Sequence, residues 1–551
     1  MKSFKKTIAM LLSLLMLITV ITGCGANQQS TATTASTTIA TTAATTTAPP
    51  PPVNLSVLYN MGSFAPEGYD FNDNEYIDVI EKMANVELEF TVPAYSDYNN
   101  KLQLIMASAD LPDIIQGFNS VDGVKYGDQG AFTDLKNYYD NSTNVKKRIT
   151  AEMLEFTKST SGKYYRIPQP TQIAPDNSLV NLTVLVRYDL IQKYNNGKYP
   201  ESVDEWTAYL RMLRKELPNA ALLSDRMLAG CAFRYVNEAV FYWFGVTPYK
   251  YRMENGNFIS TFTTPEYKEA VKLLKVYYDE GILQKDFATM DTTKWVDAVW
   301  NKDTAVLSYD NIQVYSFMEQ TMTKEGKSGY TYAVAPPLKT YPAVVKDIKY
   351  TMPINKPPVN DAGLYIANSS KNKDAAWKVI DALASDEFYN KIYIGQEGKE
   401  FTTKNSQKVI NPDVYLAKDR MWLQSLGHIF GVGAPLWDIK RPLYEEQWGK
   451  ERYKVANDSF YMSTQWSASR GFDLNSMIPL IQGVTEKVEE SNLFISEASV
   501  KAVMGQISMD DFDKKVAEFK TRYGFISDAY TKFIQENKAA LKAKGAIEVD
   551  W

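Results

Sequence analysis

The chain has 551 residues, of which 45% are hydrophobic and 23% are charged, and its formal net charge is −5. These values are ordinary for a soluble globular protein with two or three domains, and the acidic balance argues against nucleic acid as a partner. A single histidine and two cysteines exclude a His-rich zinc site and a Cys-His zinc cluster with the usual number of ligands.

The amino terminus has the layout of a secretory signal over residues 1–23. Three lysines among the first six residues precede a mostly apolar run that is shorter than the roughly 20 residues of a membrane span. The run ends in Ile-Thr-Gly-Cys, which resembles the lipobox of bacterial lipoproteins, and this implies that Cys24 is lipidated and becomes the first mature residue. An ordinary secretory peptide with an incidental cysteine is the alternative. The other cysteine, Cys231, lies among apolar residues and is expected to be a buried, inert thiol.

Residues 24–52 consist mainly of Thr, Ala, Ser and Pro. Such a composition cannot bury a core, so we predict a disordered tether between the anchor and the folded part. The folded part is expected to begin at Val53, where apolar residues alternate along a first strand.

Strands and helices alternate in the first part of the fold. A helix is predicted over 74–84, a strand in VELEFTVPAY, a helix that begins near Ser96, and a short buried strand over 113–115. This alternation predicts a mostly parallel α/β sheet, in which ligands bind at the carboxyl ends of the strands. The loops after Tyr59, after Ile115 and, later, after Leu307 are therefore the candidate ligand-binding loops.

Neither a metal site nor a catalytic triad is a strong prediction. Oxygen-bearing side chains between 70 and 81 follow the offsets of a calcium loop, but Glu75 stands where that loop requires glycine, and a helix start rich in Asp and Asn explains them equally well. A Ser-His-Asp triad would need His428, which lies near no Gly-x-Ser-x-Gly motif. We expect no metal and no cofactor.

The later elements carry clear helix signals. Ser202 and Glu205 form a capping box, and the helix over 264–281 begins with Thr264 and Pro265 and ends at Gly281. Further strands are predicted over 161–170, 180–186 and 304–311 and in GYTYAVAPPLK. The last third of the chain is mainly helical.

Several phrases, in their order along the chain, resemble the extracellular solute-binding proteins of family 1, and among them the large LipO-like lipoproteins of Gram-positive bacteria. The phrases are NDNEYIDVIEKMANVELEF, SADLPDII, GKYYRIP, VRYDLIQKYN, YPESVDEW, TPEYKEAVKLLKVYYDEGIL, YAVAPPL, GLYIANSSKNKDAAWKVID and GQEGKEF. The resemblance implies a periplasmic-binding-protein-like fold of type II, with two α/β lobes that close around a ligand in the cleft between them. We expect the first lobe to comprise 53–172 plus about 308–357, and the second to comprise about 173–307 plus 358–551.

The expected ligand is an oligosaccharide, because hydroxyls suit polar side chains, C–H patches suit aromatic rings, and the chain is 13% aromatic. Candidate ligand contacts lie where predicted strands end. They are Tyr59, Asn60, Phe118, Asn119, Arg187, Tyr188, Asp189, Trp243, Tyr309, Asp310 and Trp437. The resemblance implies that Arg187 and Asp310 face the cleft. A structural ion pair of Arg187 with Asp189 or another acid, helix-cap packing for Tyr188 and a core position for Trp243 are the alternatives.

The sequence therefore predicts a monomeric binding protein, without enzymatic activity, on the extracellular face of a membrane. It would capture a small solute and deliver it to the permease of an ABC importer, since the chain contains neither an ATPase nor a channel. Two alternatives stay open: a secreted glycan-active enzyme, which needs only a suitably spaced pair of carboxylates, and a peptide-binding receptor lipoprotein.

Overall fold

The computed structural model describes residues 51–60, 70–93, 97–108, 110–117, 120–159, 161–170, 183–228, 230–233, 238–291, 294–295, 307–310, 332–346, 359–393, 395–404, 407–411, 414, 450–451, 453–455, 458, 473–479, 481, 483–543, 545–546 and 551. The predicted signal, Cys24 and the tether lie outside these residues. So do four residues singled out in the sequence: Phe118, Asn119, His428 and Trp437.

The described strands form four sheets. In chain order they are β1 (Val53–Leu58), β2 (Val86–Thr91), β3 (Ile114–Gln116), β4 (Ile167–Pro170), β5 (Thr183–Arg187), β6 (Tyr251–Glu254), β7 (Asn257–Ser260), β8 (Leu307–Asp310), β9 (Tyr332–Val334), β10 (Val359–Ile366), β11 (Phe401–Lys404) and β12 (Gln407–Ile410). One sheet has the order β2-β1-β3-β10-β4 and another the order β8-β5-β9, while β6-β7 and β11-β12 are two-stranded.

The described helices surround these sheets. They are α1 (Glu75–Ala84), α2 (Tyr98–Ser108), α3 (Ser120–Asp128), α4 (Lys136–Asn141), α5 (Asn144–Arg148), α6 (Ala151–Glu155), α7 (Tyr188–Asn195), α8 (Val203–Glu216), α9 (Glu238–Trp243), α10 (Pro265–Asp279), α11 (Lys373–Leu383), α12 (Asp386–Tyr393), α13 (Val488–Val503) and α14 (Met509–Ala543). Among them, no helix combines the length and the apolar character that crossing a membrane requires.

The five-stranded sheet confirms the predicted parallel arrangement at its first three strands. Both β2 and β3 pair in parallel with β1, and only β10 runs against its neighbours β3 and β4. Side chains alternate across the sheet: Leu55 and Val57 enter one apolar cluster, and Leu58 enters a second cluster. Helices therefore cover both faces of this sheet, as expected of an α/β lobe.

Local signals set the helix ends that the sequence predicted. The Asn74 side chain accepts hydrogen bonds from the backbone N–H groups of Tyr76 and Ile77, both at 3.1 Å, and so caps α1. Thr264 caps α10 in the same way, with Pro265 in the first turn. The predicted apolar stripe of α10 is buried in a second large core, which also contains the inward face of α14.

Strand pairing differs from the expected assignment of two segments to the lobes. We expected 308–357 to join the first lobe, but β8 and β9 pair with β5. We expected the chain from 358 onward to join the second lobe, but β10 is inserted between β3 and β4, and α11 packs into the core of that first sheet. A short buried strand has the same apolar pattern in either sheet, so its partner is decided by the tertiary fold. The exact lobe boundaries stay a prediction.

Candidate functional site

Four strands of the first sheet end at one edge. Because β3 and β4 are both antiparallel to β10, β4 runs in the same direction as β1, β2 and β3. The carboxyl ends of these strands bring Asn60, Thr91, Gln116 and Pro170 to the same side of the sheet. This is the side on which ligands bind in open α/β sheets.

Two carboxamides meet at this edge. The backbone N–H of Asn60 donates to Oε1 of Gln116 at 2.8 Å, and Gln116 is only 9% exposed. The side-chain oxygen Oδ1 of Asn60 is buried, and no donor among the described residues reaches it. Asn60 was predicted from the sequence and Gln116 was missed, although the Gln-Gly pair directly after a buried strand could have indicated it. Carboxamides can both donate to and accept from a polar solute.

The backbone beside Gln116 is held by two contacts. Gly117 has a φ of 129°, and its N–H donates to the carbonyl oxygen of Gly363 at 3.0 Å. The hydroxyl of Tyr98 donates to the carbonyl oxygen of Gln116. Burial, with a smaller contribution from Tyr365, raises the pKa of Tyr98, so this hydroxyl stays protonated and remains a donor. These two hydrogen bonds fix the course of the backbone at the end of β3.

Two predicted aromatic contacts lie in cores, which corrects the expectation that they face a ligand. Tyr59 is 1% exposed and packs edge-on against Phe90 with 5.9 Å between ring centroids, and its burial raises its pKa. Trp243 is 3% exposed and stacks on Trp206 at 5.6 Å. Both rings are enclosed by neighbouring side chains and present no surface to a solute in this structure.

The second sheet separates candidates that the sequence grouped together. Thr183 pairs with Asp310 and Val184 with Tyr309, whereas Arg187 pairs with Tyr332 at the other end of β5. Four residues along a strand span about 13 Å, so Arg187 and Asp310 lie at opposite ends of β5. Their backbone atoms are therefore too far apart to contact the same small group of a ligand.

Arg187 forms an ion pair with Asp189, which was the alternative to a role in ligand binding. Its Nε and Nη2 atoms donate to the two carboxylate oxygens of Asp189 at 2.7 and 2.6 Å, and Arg187 is 6% exposed. Between them in sequence, Tyr188 stacks on Tyr199 with 5.7 Å between ring centroids. A role for these three residues in ligand binding stays a prediction.

The chain connects one end of the second sheet to the carboxyl edge of the first sheet twice. It leaves β4 at Pro170 and enters β5 at Thr183. After β9, the N–H of Ala335 donates to the carbonyl oxygen of Val184 near that same end of β5, and the chain later enters β10 at Val359, opposite Pro170. We therefore place the candidate site between the carboxyl edge of the first sheet and the Thr183–Asp310 end of the second.

The oxygens considered for calcium have other partners. Oδ1 of Asn72 accepts from the N–H of Phe90 at 2.7 Å, Asn74 caps α1, and Oε1 of Glu81 accepts from the N–H of Leu88 at 2.9 Å. Within the part of the chain that the structure describes, no group of three or more His, Cys, Asp or Glu side chains is arranged to hold a metal ion. Asn74 therefore acts at the helix start as the alternative interpretation predicted, whereas Asn72 and Glu81 bond to backbone groups of β2.

Residues 71–389 match the family model of the bacterial extracellular solute-binding proteins. The chain belongs to this family. This solute-binding protein is 29% identical to lipoprotein LipO of Bacillus subtilis strain 168 over 230 residues, which are 40% of this chain and 44% of LipO. It is 22% identical to the polygalacturonan/rhamnogalacturonan-binding protein YtcQ of the same strain over 85% of this chain and 88% of YtcQ.

A solved structure confirms the predicted fold class. FusA, an ABC-transporter substrate-binding protein of S. pneumoniae in complex with kestose, superimposes with a TM-score of 0.65 over 88% of this chain and 100% of FusA, at 17% sequence identity. The solute-binding protein therefore has the type II periplasmic-binding-protein fold with two α/β lobes, in agreement with its two separate large cores.

Proposed function

We propose that this solute-binding protein captures an oligosaccharide outside the cell and delivers it unaltered to the permease of an ABC importer. The observation that carries the proposal is the amide-lined edge of the first sheet, which is connected twice by the chain to one end of the second sheet. Lobes joined in this way can close over a ligand. YtcQ is named as a polygalacturonan/rhamnogalacturonan-binding protein, and FusA was solved in complex with kestose. Both support a glycan as the ligand of this protein.

The chemistry of the edge favours binding over catalysis. Asn60 and Gln116 contribute side-chain amides, which do not ionise near neutral pH and therefore cannot act as general acids or bases. A glycoside hydrolase would need two carboxyl groups about 5 to 9.5 Å apart around one glycosidic bond. The proposed function is therefore binding and release of the ligand, without a catalysed reaction.

Adding the ligand is expected to stabilise the protein. A glycan present at 100 times its Kd raises the free energy of unfolding by about 2.7 kcal/mol, because only the folded state binds it. We expect a thermal-shift screen to give such a stabilisation with one or more oligosaccharides and none with peptides of similar size. A shift with peptides alone would replace the proposal by a peptide receptor, and new reducing ends in the incubated glycans would replace it by an enzyme.

We further propose that Cys24 anchors the protein to the membrane through acyl chains. The lipobox resemblance and the match to lipoprotein LipO support this proposal. Each buried methylene contributes about 0.8 kcal/mol to membrane binding, so several chains hold the protein firmly.

Removing the lipid attachment site is expected to release the protein. We predict that Cys24→Ser moves the protein from the membrane fraction to the culture medium, whereas the tether variant Ser30→Ala stays with the membrane. Fractionation, followed by mass spectrometry of the mature amino terminus, measures both. A wild-type amino terminus without acyl chains would overturn the anchor and leave solute binding unaffected.

A further inference from the structure

We propose that Asn72 and Glu81 close the outer edge of the first sheet, and that without them β2 pairs with β2 of a second copy of this chain. This inference concerns the predicted monomeric state, and it does not depend on the proposed ligand. It assigns a function to two side chains that lie outside the candidate site.

The outer edge of the first sheet is formed by β2. Among the described strands, β2 pairs with β1 alone. The N–H of Tyr59 donates to the carbonyl oxygen of Thr91 at 3.0 Å, so the odd-numbered residues of β2 direct their backbone groups toward β1. The backbone groups of Val86, Leu88 and Phe90 therefore point away from the sheet, since these directions alternate along a strand. Such an outward row is a template on which another strand can pair.

Two side chains occupy this outward row. Oε1 of Glu81 accepts from the N–H of Leu88 at 2.9 Å. Oδ1 of Asn72 accepts from the N–H of Phe90 at 2.7 Å, and Nδ2 of Asn72 donates to the carbonyl oxygen of Phe90 at 3.4 Å. The Asn72 carboxamide thus makes both of the hydrogen bonds that a neighbouring strand would make to Phe90. Another strand can pair with β2 only by displacing both side chains.

The strand that best matches the open edge is β2 itself. The outward positions 86, 88 and 90 are symmetric about Leu88, so two copies can pair in antiparallel orientation with Leu88 opposite Leu88. Glu87 and Glu89 are exposed, and this register places Glu87 of each copy opposite Glu89 of the other. Like charges directly opposite each other destabilise a strand pair. The two glutamates therefore oppose pairing with a second copy in particular.

Other strand edges of the described sheets are closed in comparable ways. At the opposite edge of the first sheet, β4 contains Pro168 and Pro170, which have no N–H to offer another strand. In the β6–β7 hairpin, Oδ1 of Asn475 accepts from the N–H of Tyr251 at 2.8 Å, and its Nδ2 donates to the carbonyl oxygen of Tyr251 at 2.7 Å. A carboxamide thus takes the place of a neighbouring strand in two different sheets, which supports edge closure as the function of Asn72.

The test opens the edge and reverses the charge repulsion in one protein. Every protein compared carries Cys24→Ser, so that lipid cannot cause association. The triple variant Asn72→Ala/Glu81→Ala/Glu89→Lys has no side-chain acceptor on the edge, and its new lysine faces Glu87 of the second copy. We expect analytical ultracentrifugation to show a dimer whose Kd is at least tenfold lower than that of Asn72→Ala/Glu81→Ala. Glu89→Lys alone should stay monomeric at the same concentrations. A folded triple variant that stays monomeric, or equal dimerisation of Glu89→Lys alone, overturns the proposal.

Two control proteins separate edge closure from a general effect of substitution. Asn72→Asp/Glu81→Gln keeps an acceptor oxygen at both positions, so this pair combined with Glu89→Lys should stay monomeric. The matched control is Asn141→Ala/Glu152→Ala combined with Glu89→Lys, since Asn141 and Glu152 are exposed residues of helices α4 and α6. Circular dichroism and the melting temperature establish that each protein is folded. A dimer in either control as tight as that of the triple variant contradicts the proposal.

Hydrogen exchange tests the caps without any association. In Asn72→Ala at low protein concentration, we expect the amide of Phe90 to exchange at least tenfold faster than in the wild type. The amide of Tyr59 donates to Thr91 on the inner side of β2, so its protection should be unchanged and shows that the sheet remains intact. Unchanged exchange at Phe90 would show that Asn72 does not close the edge.

Discussion

Replacing Arg252 with methionine is expected to lower the free energy of unfolding by about 3 to 5 kcal/mol. The Nη2 atom of Arg252 lies 3.1 Å from Oε1 of Glu266, which is 3% exposed in the second core, and 3.2 Å from Oε2 of Glu254. Without the guanidinium, the Glu266 carboxylate remains buried with its principal cation removed. Equilibrium unfolding in urea measures the loss.

Two comparisons separate charge burial from loss of packing. Adding Glu266→Gln to Arg252→Met removes the buried charge, so the double variant should be more stable than Arg252→Met alone. Arg211 makes an equally direct pair with Glu280, at 2.6 Å, but the two side chains are 51% and 35% exposed. We therefore expect Arg211→Met to cost less than about 1 kcal/mol. Equal losses for Arg211→Met and Arg252→Met would contradict the burial argument.

Gly363→Ala is expected to destabilise the protein by about 3 kcal/mol. Gly363 lies beside β4 where the register between β10 and β4 is irregular. A Cβ there would lie 2.5 Å from the carbonyl oxygen of Ile167 and 3.2 Å from Cα of Pro168, and backbone atoms cannot rotate away as a flexible side chain would. Because the Gly363 carbonyl also accepts from Gly117, we expect glycan affinity to fall as well.

The matched control is another glycine in an open environment. Gly524 lies within α14, and a Cβ at that position would meet no atom within 4 Å. Gly524→Ala should therefore stabilise the helix by about 0.5 to 1 kcal/mol. Thermal unfolding of both variants tests the pair, and a neutral Gly363→Ala would show that the two strands can separate without cost.

The sequence predicts well where local interactions decide the structure. The start of α1 at Asn74 and the start of α10 at Thr264 follow from side chains that cap their own helices, so both were predicted correctly. The alternation of Val53, Leu55 and Val57 likewise defined β1 and its core face. These signals need no knowledge of distant residues.

Side-chain burial at strand ends depends on distant residues and was predicted less well. Tyr59 continues the alternation of Leu55 and Val57 and therefore shares their buried face, a signal that was present in the sequence but not used. Trp243 lies in a continuous apolar run, whose periodicity does not say which residue is enclosed. Gln116 acquires its importance only through Asn60, 56 positions earlier in the chain.

The position of β10 imposes an order on folding. This strand lies between β3 and β4, yet it begins about 190 residues after β4 ends. Until residue 366 has been synthesised, β3 and β4 both lack the neighbour that joins them, so the first sheet cannot be completed. The first sheet therefore stays incomplete while most of the second core, which lies between β4 and β10 in the sequence, is synthesised. Such long-range pairing slows folding and leaves the edges of β3 and β4 unpaired for longer, and open strand edges favour aggregation during that interval.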